Sequence, residues 1–184
     1  MNHTRPRRPH RLAALLALLV GLTAHAREPE GIPVTGDRLS GLVLPIEPIP
    51  GDLKLAANHA AAWSVDDTRR LVLRGDVRVQ AGPYTYRADQ AALWLNRIPS
   101  ADGLINQFAL YFDTLENPTN RAGIGLAGRG ILVTGSLLDA EVTLDCPVVD
   151  RSPAAANRAF RAEAERELAD YLNRTFAQRP TLRQ

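Results

Sequence analysis

Residues 70–95 read Arg-Leu-Val-Leu-Arg-Gly-Asp-Val-Arg-Val-Gln-Ala-Gly-Pro-Tyr-Thr-Tyr-Arg-Ala-Asp-Gln-Ala-Ala-Leu-Trp-Leu, and their alternation decides the fold class. Leu71, Leu73, Gly75, Val77 and Val79 take the odd positions, with Arg74, Asp76, Arg78 and Gln80 between them and Val72 as the exception. Successive side chains of a strand point to opposite faces of its sheet, so a period of two marks a half-buried strand. Ala81-Gly82-Pro83 breaks the run, and Tyr84, Tyr86 and Ala88 resume it against Thr85, Arg87 and Asp89. Alternating strands on both sides of a tight turn predict antiparallel sheet.

Downstream, Leu104, Phe108, Leu110 and Phe112 alternate with Gln107, Ala109, Tyr111 and Asp113. Asn96–Gly103 reads as a turn-rich loop, and Glu116–Asn120, with Asn117-Pro118, as the next turn. Five glycines fall between Gly123 and Gly135. A phosphate-cradling loop needs a strand before such glycines and a helix after them, whereas Ile131-Leu132-Val133-Thr134 is β-rich, so glycines that bend strands are expected. Leu138–Cys146 is expected to form a last strand. Upstream, Ala61, Trp63 and Val65 alternate before the hairpin signal Asp66-Asp67-Thr68-Arg69, although Ala56–Ala62 also suits a helical turn.

Beyond the sheet, Ser152-Pro153 reads as an N-cap with Pro at the first helical position. Phe160, Ala164, Leu168, Tyr171 and Leu172 then share one helical face, opposite Arg161, Glu165 and Asp170. That stripe is expected to dock on the sheet or cap an open end, with a partner or membrane surface as the alternative.

The N-terminus reads as a targeting signal over residues 1–26. Arg5, Arg7, Arg8 and Arg11 precede an apolar run, Leu12–Leu22, and Ala24-His25-Ala26 supplies a cleavage site. The run is about 11 residues, short of the roughly 20 that a spanning helix needs. A cleaved export signal and a periplasmic location are expected, with an uncleaved anchor as the alternative. Residues 27–51, dense in Pro and Gly, read as an extended linker in which Leu42–Ile46 borders a sheet edge; residues 52–150 read as the β-domain and 151–184 as helix and tail.

Removing the signal changes the charge. The chain carries 22 basic and 20 acidic residues; four of the basic ones and no acid lie in residues 1–26, which leaves 18 against 20. A net charge of −2 gives no electrostatic footprint for nucleic acid. The same cut removes His3, His10 and His25, leaving His59 and Cys146 as the lone His and Cys. No intramolecular disulfide is possible, no metal site or cofactor is expected, and His-based nucleophilic catalysis has no support. A non-catalytic protein is expected.

Gly75-Asp76-Val77-Arg78-Val79, the turn at Gly82, and Tyr84-Thr85-Tyr86-Arg87-Ala88-Asp89 together resemble the repeat of the OstA/LptA-type periplasmic domain, the lipopolysaccharide transport and organic solvent tolerance family. The resemblance covers about residues 56–96 and, more weakly, 104–146, where Leu126–Ile131 is similar to a second repeat. It implies an all-β antiparallel β-jellyroll, here with a C-terminal amphipathic helix, that shelters acyl chains in an apolar groove. The implied groove residues are Trp63, Leu71, Leu73, Val77, Val79, Tyr84 and Tyr86, with either Trp94 or the Leu93/Leu95 pair beside them. The implied partners are lipopolysaccharide or another envelope lipid, and other β-jellyroll proteins joined by edge-strand pairing. Two alternatives stand beside it: the same residues close a dry core, or the chain is a scaffolding β-domain that binds a protein through its sheet edge or helix.

Overall fold

A computed structural model describes residues 39, 42–116 and 127–177. The targeting signal, most of the Pro/Gly-rich segment, Gly123 and Gly125 lie outside the described residues, as does most of the turn read at Glu116–Asn120. The strands are β1 (Ile49–Pro50), β2 (Leu53–Ala56), β3 (His59–Val65), β4 (Thr68–Ala81), β5 (Tyr84–Ser100), β6 (Gly103–Glu116), β7 (Gly128–Leu138), β8 (Val142–Asp145) and β9 (Val148–Asp150), followed by helix α1 (Arg158–Ala177). The architecture is a curled, half-barrel β-sheet carrying one C-terminal helix.

The hairpin read from residues 70–95 is the centre of the sheet. β4 pairs antiparallel with β5, β5 with β6, and β6 with β7. On its other side the long β4 is shared, by β2 near its end and by β3 near its start. β8 and β9 run parallel outside β2 and β3, and β1 runs parallel to the end of β7.

Curling follows from the connections. Ile49 and Pro50 pair with Leu137 and Leu138, yet Leu53, three residues past Pro50, pairs with Ala81 on the far side of β4. So short a link forces the end of β7 towards the β4–β5 turn. Contact there is close: a β-carbon on Gly51, whose φ is +130°, would sit 2.6 Å from Gly82 Cα, so only glycine fits. Residues 139–141 cross the same gap, with Asn106 Nδ2 donating to Ala140 O at 3.1 Å and Leu53 N to Glu141 O at 2.9 Å.

A bulge sits inside the hairpin. Arg74 faces Gln90 while Val77 faces Ala88, so Gly75 and Asp76 together span one position of β5. Both have positive φ, 78° and 47°. The extra residue changes the parity of β5: Tyr86 and Ala88, then Ala91, Leu93 and Leu95, reach the same core.

Two cores result, one on each face. The concave face packs Leu53, Leu73, Val77, Val79, Leu93, Leu110 and Phe112. Close packing extends to Gly135, where an added β-carbon would overlap the Phe108 ring across the β6–β7 pair. The other face receives α1: Phe160, Ala164, Leu168 and Leu172 bury against Val72, Ala92, Trp94, Ala109 and Tyr111. This explains Val72, the exception in the alternation, and why Ala91–Asn96 is buried on both sides.

Several boundaries differ from the sequence reading. Asn96–Gly103 is not a loop: β5 runs to Ser100 and β6 begins at Gly103. Asn96 is buried opposite Gln107, so cross-strand pairing overrides its turn propensity. Leu138 ends β7 rather than starting a last strand, because residues 139–141 must cross the gap first. Ser152 does cap a turn, accepting from Ala154 N at 3.2 Å, but that turn is a 3-10 helix over Pro153–Ala155. Ala156 is extended, and α1 starts afresh from Asn157, whose side chain accepts from Ala159 N and Phe160 N. The Leu42–Ile46 stretch packs on the helix-side face rather than along a sheet edge: Leu44 is buried there, its N–H donates to Gln107 Oε1 of the interior strand β6 at 2.6 Å, and Gln107 Nε2 donates to Leu42 O at 3.1 Å.

The helix is also pinned by polar contacts. Tyr111 donates to Glu163 Oε1 at 2.8 Å, and the Thr134 and Tyr171 hydroxyls lie 3.0 Å apart. Burial first, then the bond to Glu163 and the nearby carboxylates, holds the Tyr111 hydroxyl well above its ordinary value of 10.0. A group whose folded value is raised stabilises fully below the unfolded value and loses that contribution as pH rises past it. Stability is therefore expected to fall as pH climbs above about 10, and Tyr111→Phe is expected to flatten that fall; urea midpoints from pH 8 to 11 for both proteins are the check.

Candidate functional site

The concave face is not closed throughout. Where β3, the start of β4 and the end of β5 face β8, an open cleft of about 620 Å³ remains. Its walls are Leu55, Ala62, Leu71, Leu95, Val142 and Leu144, with Trp63, Ser64, Arg69, Val149 and Arg151 completing the lining. An adjoining recess of about 490 Å³ shares Ser64, Arg69, Leu95 and Val142, and adds Asp67, Arg97, Ala140 and Glu141. The period of two builds this arrangement. Leu73, Leu71 and Arg69 stand at alternate positions of β4, and Leu93, Leu95 and Arg97 at alternate positions of β5, so each column runs from buried core to charged rim. Arg69, Arg97 and Arg151 are exposed and make no ion pair among the described residues.

The residues singled out from sequence separate into four places. Leu71 lines the cleft; Trp63 borders it, but its ring packs with the α1-side core beneath the Arg161 guanidinium, 5.9 Å from the ring centroid. Leu73, Val77 and Val79 are interior, at no more than 1% exposure, and are covered by protein. Tyr84 and Tyr86 line a separate cavity of about 220 Å³ with Ile46, Ile49, Phe108 and Val133. Trp94 is on the opposite face, buried under α1. The eight residues thus do not form one groove. Trp94 follows a column of its own, because Ala92 and Trp94 alternate with Leu93 and Leu95, and only the helix decides which column is covered.

Missing from the sequence reading were Leu55, Val142, Leu144, Arg69 and Arg151. Leu55 and Leu144 become neighbours through the parallel β2–β8 pairing, 89 positions apart in the chain. Alternation at Val142 and Leu144 was the available signal. It placed them on one face without saying which strand lay beside them.

His59 is an exposed residue of β3, and the Cys146 thiol, partly buried against the concave core, lies 3.1 Å from Val148 O. Among the described residues, no group of three or more His, Cys, Asp or Glu side chains is placed to hold a metal ion. Asp66 and Asp67 form the β3–β4 turn, Asp66 with a φ of 51°. What the site offers is apolar wall beside cationic rim. No family model, curated protein or solved structure matches this chain.

Proposed function

We propose that this chain is a non-catalytic lipid-binding module of the cell envelope, exported to the periplasm, which shelters acyl chain and assists outer-membrane assembly. The observation that carries this reading is the open cleft, whose walls continue the hydrophobic core to the surface. Each methylene moved from water to such a wall favours binding by about 0.8 kcal/mol, so affinity needs no chemical step. In this reading the curled sheet is a β-jellyroll of the OstA/LptA type, and lipopolysaccharide or a similar envelope lipid is the ligand. The outer edge supports strand pairing with like modules: β9 lies outside β3, and Val148 and Val149 are 43% and 45% exposed.

Both native tryptophans face α1, Trp63 beneath Arg161 and Trp94 at 2% exposure, so Leu144→Trp supplies a reporter on the cleft wall. Adding lipopolysaccharide or myristate to the signal-free chain with this substitution is expected to shift tryptophan emission to the blue by more than in the unsubstituted chain. An unchanged spectrum with both lipids sinks the reading.

A further inference from the structure

The cleft is small, and its charged lining residues are all cationic. Leu53 and Leu73, both at 0% exposure, fill the sheet behind its walls, so no continuous groove crosses the concave face. About 620 Å³ lies within the range of roughly 300–1,000 Å³ that encloses one drug-sized ligand. That is room for one chain, not for a bundle of them. Of its eleven lining residues two are arginines, Arg69 and Arg151, and none is a carboxylate. The carboxylates nearby, Asp67 and Glu141, line the adjoining recess, where Arg97 accompanies them.

Resting on the lipid-binding reading above, we infer that the cleft takes a single-chain anionic amphiphile, a long-chain carboxylate, rather than a multi-chain glycolipid. The tail lies along Leu55, Leu71, Leu95, Val142 and Leu144, and the head group meets the guanidinium groups of Arg69 and Arg151. Guanidinium suits that head group because its fixed fork of N–H donors matches carboxylate oxygens. Ser64, an exposed lining residue, adds a hydroxyl.

Titration calorimetry of the signal-free chain with myristate, with tetradecanol and with lipopolysaccharide tests this. Myristate is expected to bind at least tenfold tighter than the uncharged alcohol of equal length. The double substitution Arg69→Gln, Arg151→Gln is expected to remove that preference while leaving tetradecanol affinity unchanged. Arg78→Gln, at an exposed arginine paired with Asp76 and outside the cleft, is expected to keep it. Equal affinity for acid and alcohol, or a preference that survives the double substitution in a folded protein, overturns the inference. Binding of lipopolysaccharide without binding of myristate overturns it too, but leaves the lipid-binding reading standing; binding of none of the three removes both.

Discussion

A chain ending at Arg151 is expected not to fold cooperatively. The helix is the second layer of the protein, not an appendage: Phe160, Leu168 and Leu172 are at most 5% exposed, and they cover Trp94, Tyr111 and Val72. Burying each such side chain stabilises by roughly 1.5–3 kcal/mol, and the three together rival the roughly 5–15 kcal/mol of an ordinary domain. Truncation also uncovers the convex face of the sheet, whose apolar residues would then meet water. Circular dichroism melts and size-exclusion chromatography are the measurements. Loss of a cooperative melt, with soluble aggregates, is expected. A truncated chain that melts normally would make α1 a detachable partner-binding element.

The second large effect is expected at Phe112. Its ring is fully buried on the concave face, with the Tyr86 ring centroid 5.5 Å away. Phe112→Ala removes both the buried area and that ring contact and leaves a cavity, a change that costs about 3–5 kcal/mol. Urea denaturation checks it, and a shift in midpoint without a change in slope is the expected form. A loss under about 1 kcal/mol would mean that this face is loosely filled and that the groove extends far deeper than the cleft.

These two contrasts also mark what was legible beforehand. Strand identity was readable wherever alternation was clean, as at Leu71–Val79 and Phe108–Phe112, and the stripe Phe160–Leu172 announced an amphipathic helix. Which face each column occupies was not readable. Val72, Trp94 and Tyr111 sit one position away from concave-core residues, and their burial exists only because α1 returns over them. The bulge at Gly75–Asp76 was hidden for a related reason: Leu73 and Val77 keep even spacing across it, and the shift shows only on β5, between Ala88 and Ala91. The cleft was least legible of all. It arises where β8 comes to lie beside β2 and Val149 beside Ala60, pairings between residues about ninety positions apart that no local pattern encodes.

Among these, the parallel return of β8 and β9 matters most for function, because it supplies one wall of the cleft. Val142 and Leu144 are only half-buried there, although they face the concave core. Half-covered apolar side chains beside arginines that make no ion pair among the described residues cost little when empty and gain when an amphiphile covers them.

Site-specific photo-crosslinking decides most directly whether this cleft carries lipid. A diazirine analogue of leucine replaces Leu144 on the cleft wall in one protein and Leu168 on the buried face of α1 in another, and each is irradiated with lipopolysaccharide or myristate present. Lipid attached at position 144 and none at position 168 is the expected result. No lipid at 144, or equal labelling at both positions, would contradict the assignment of the cleft as a lipid site.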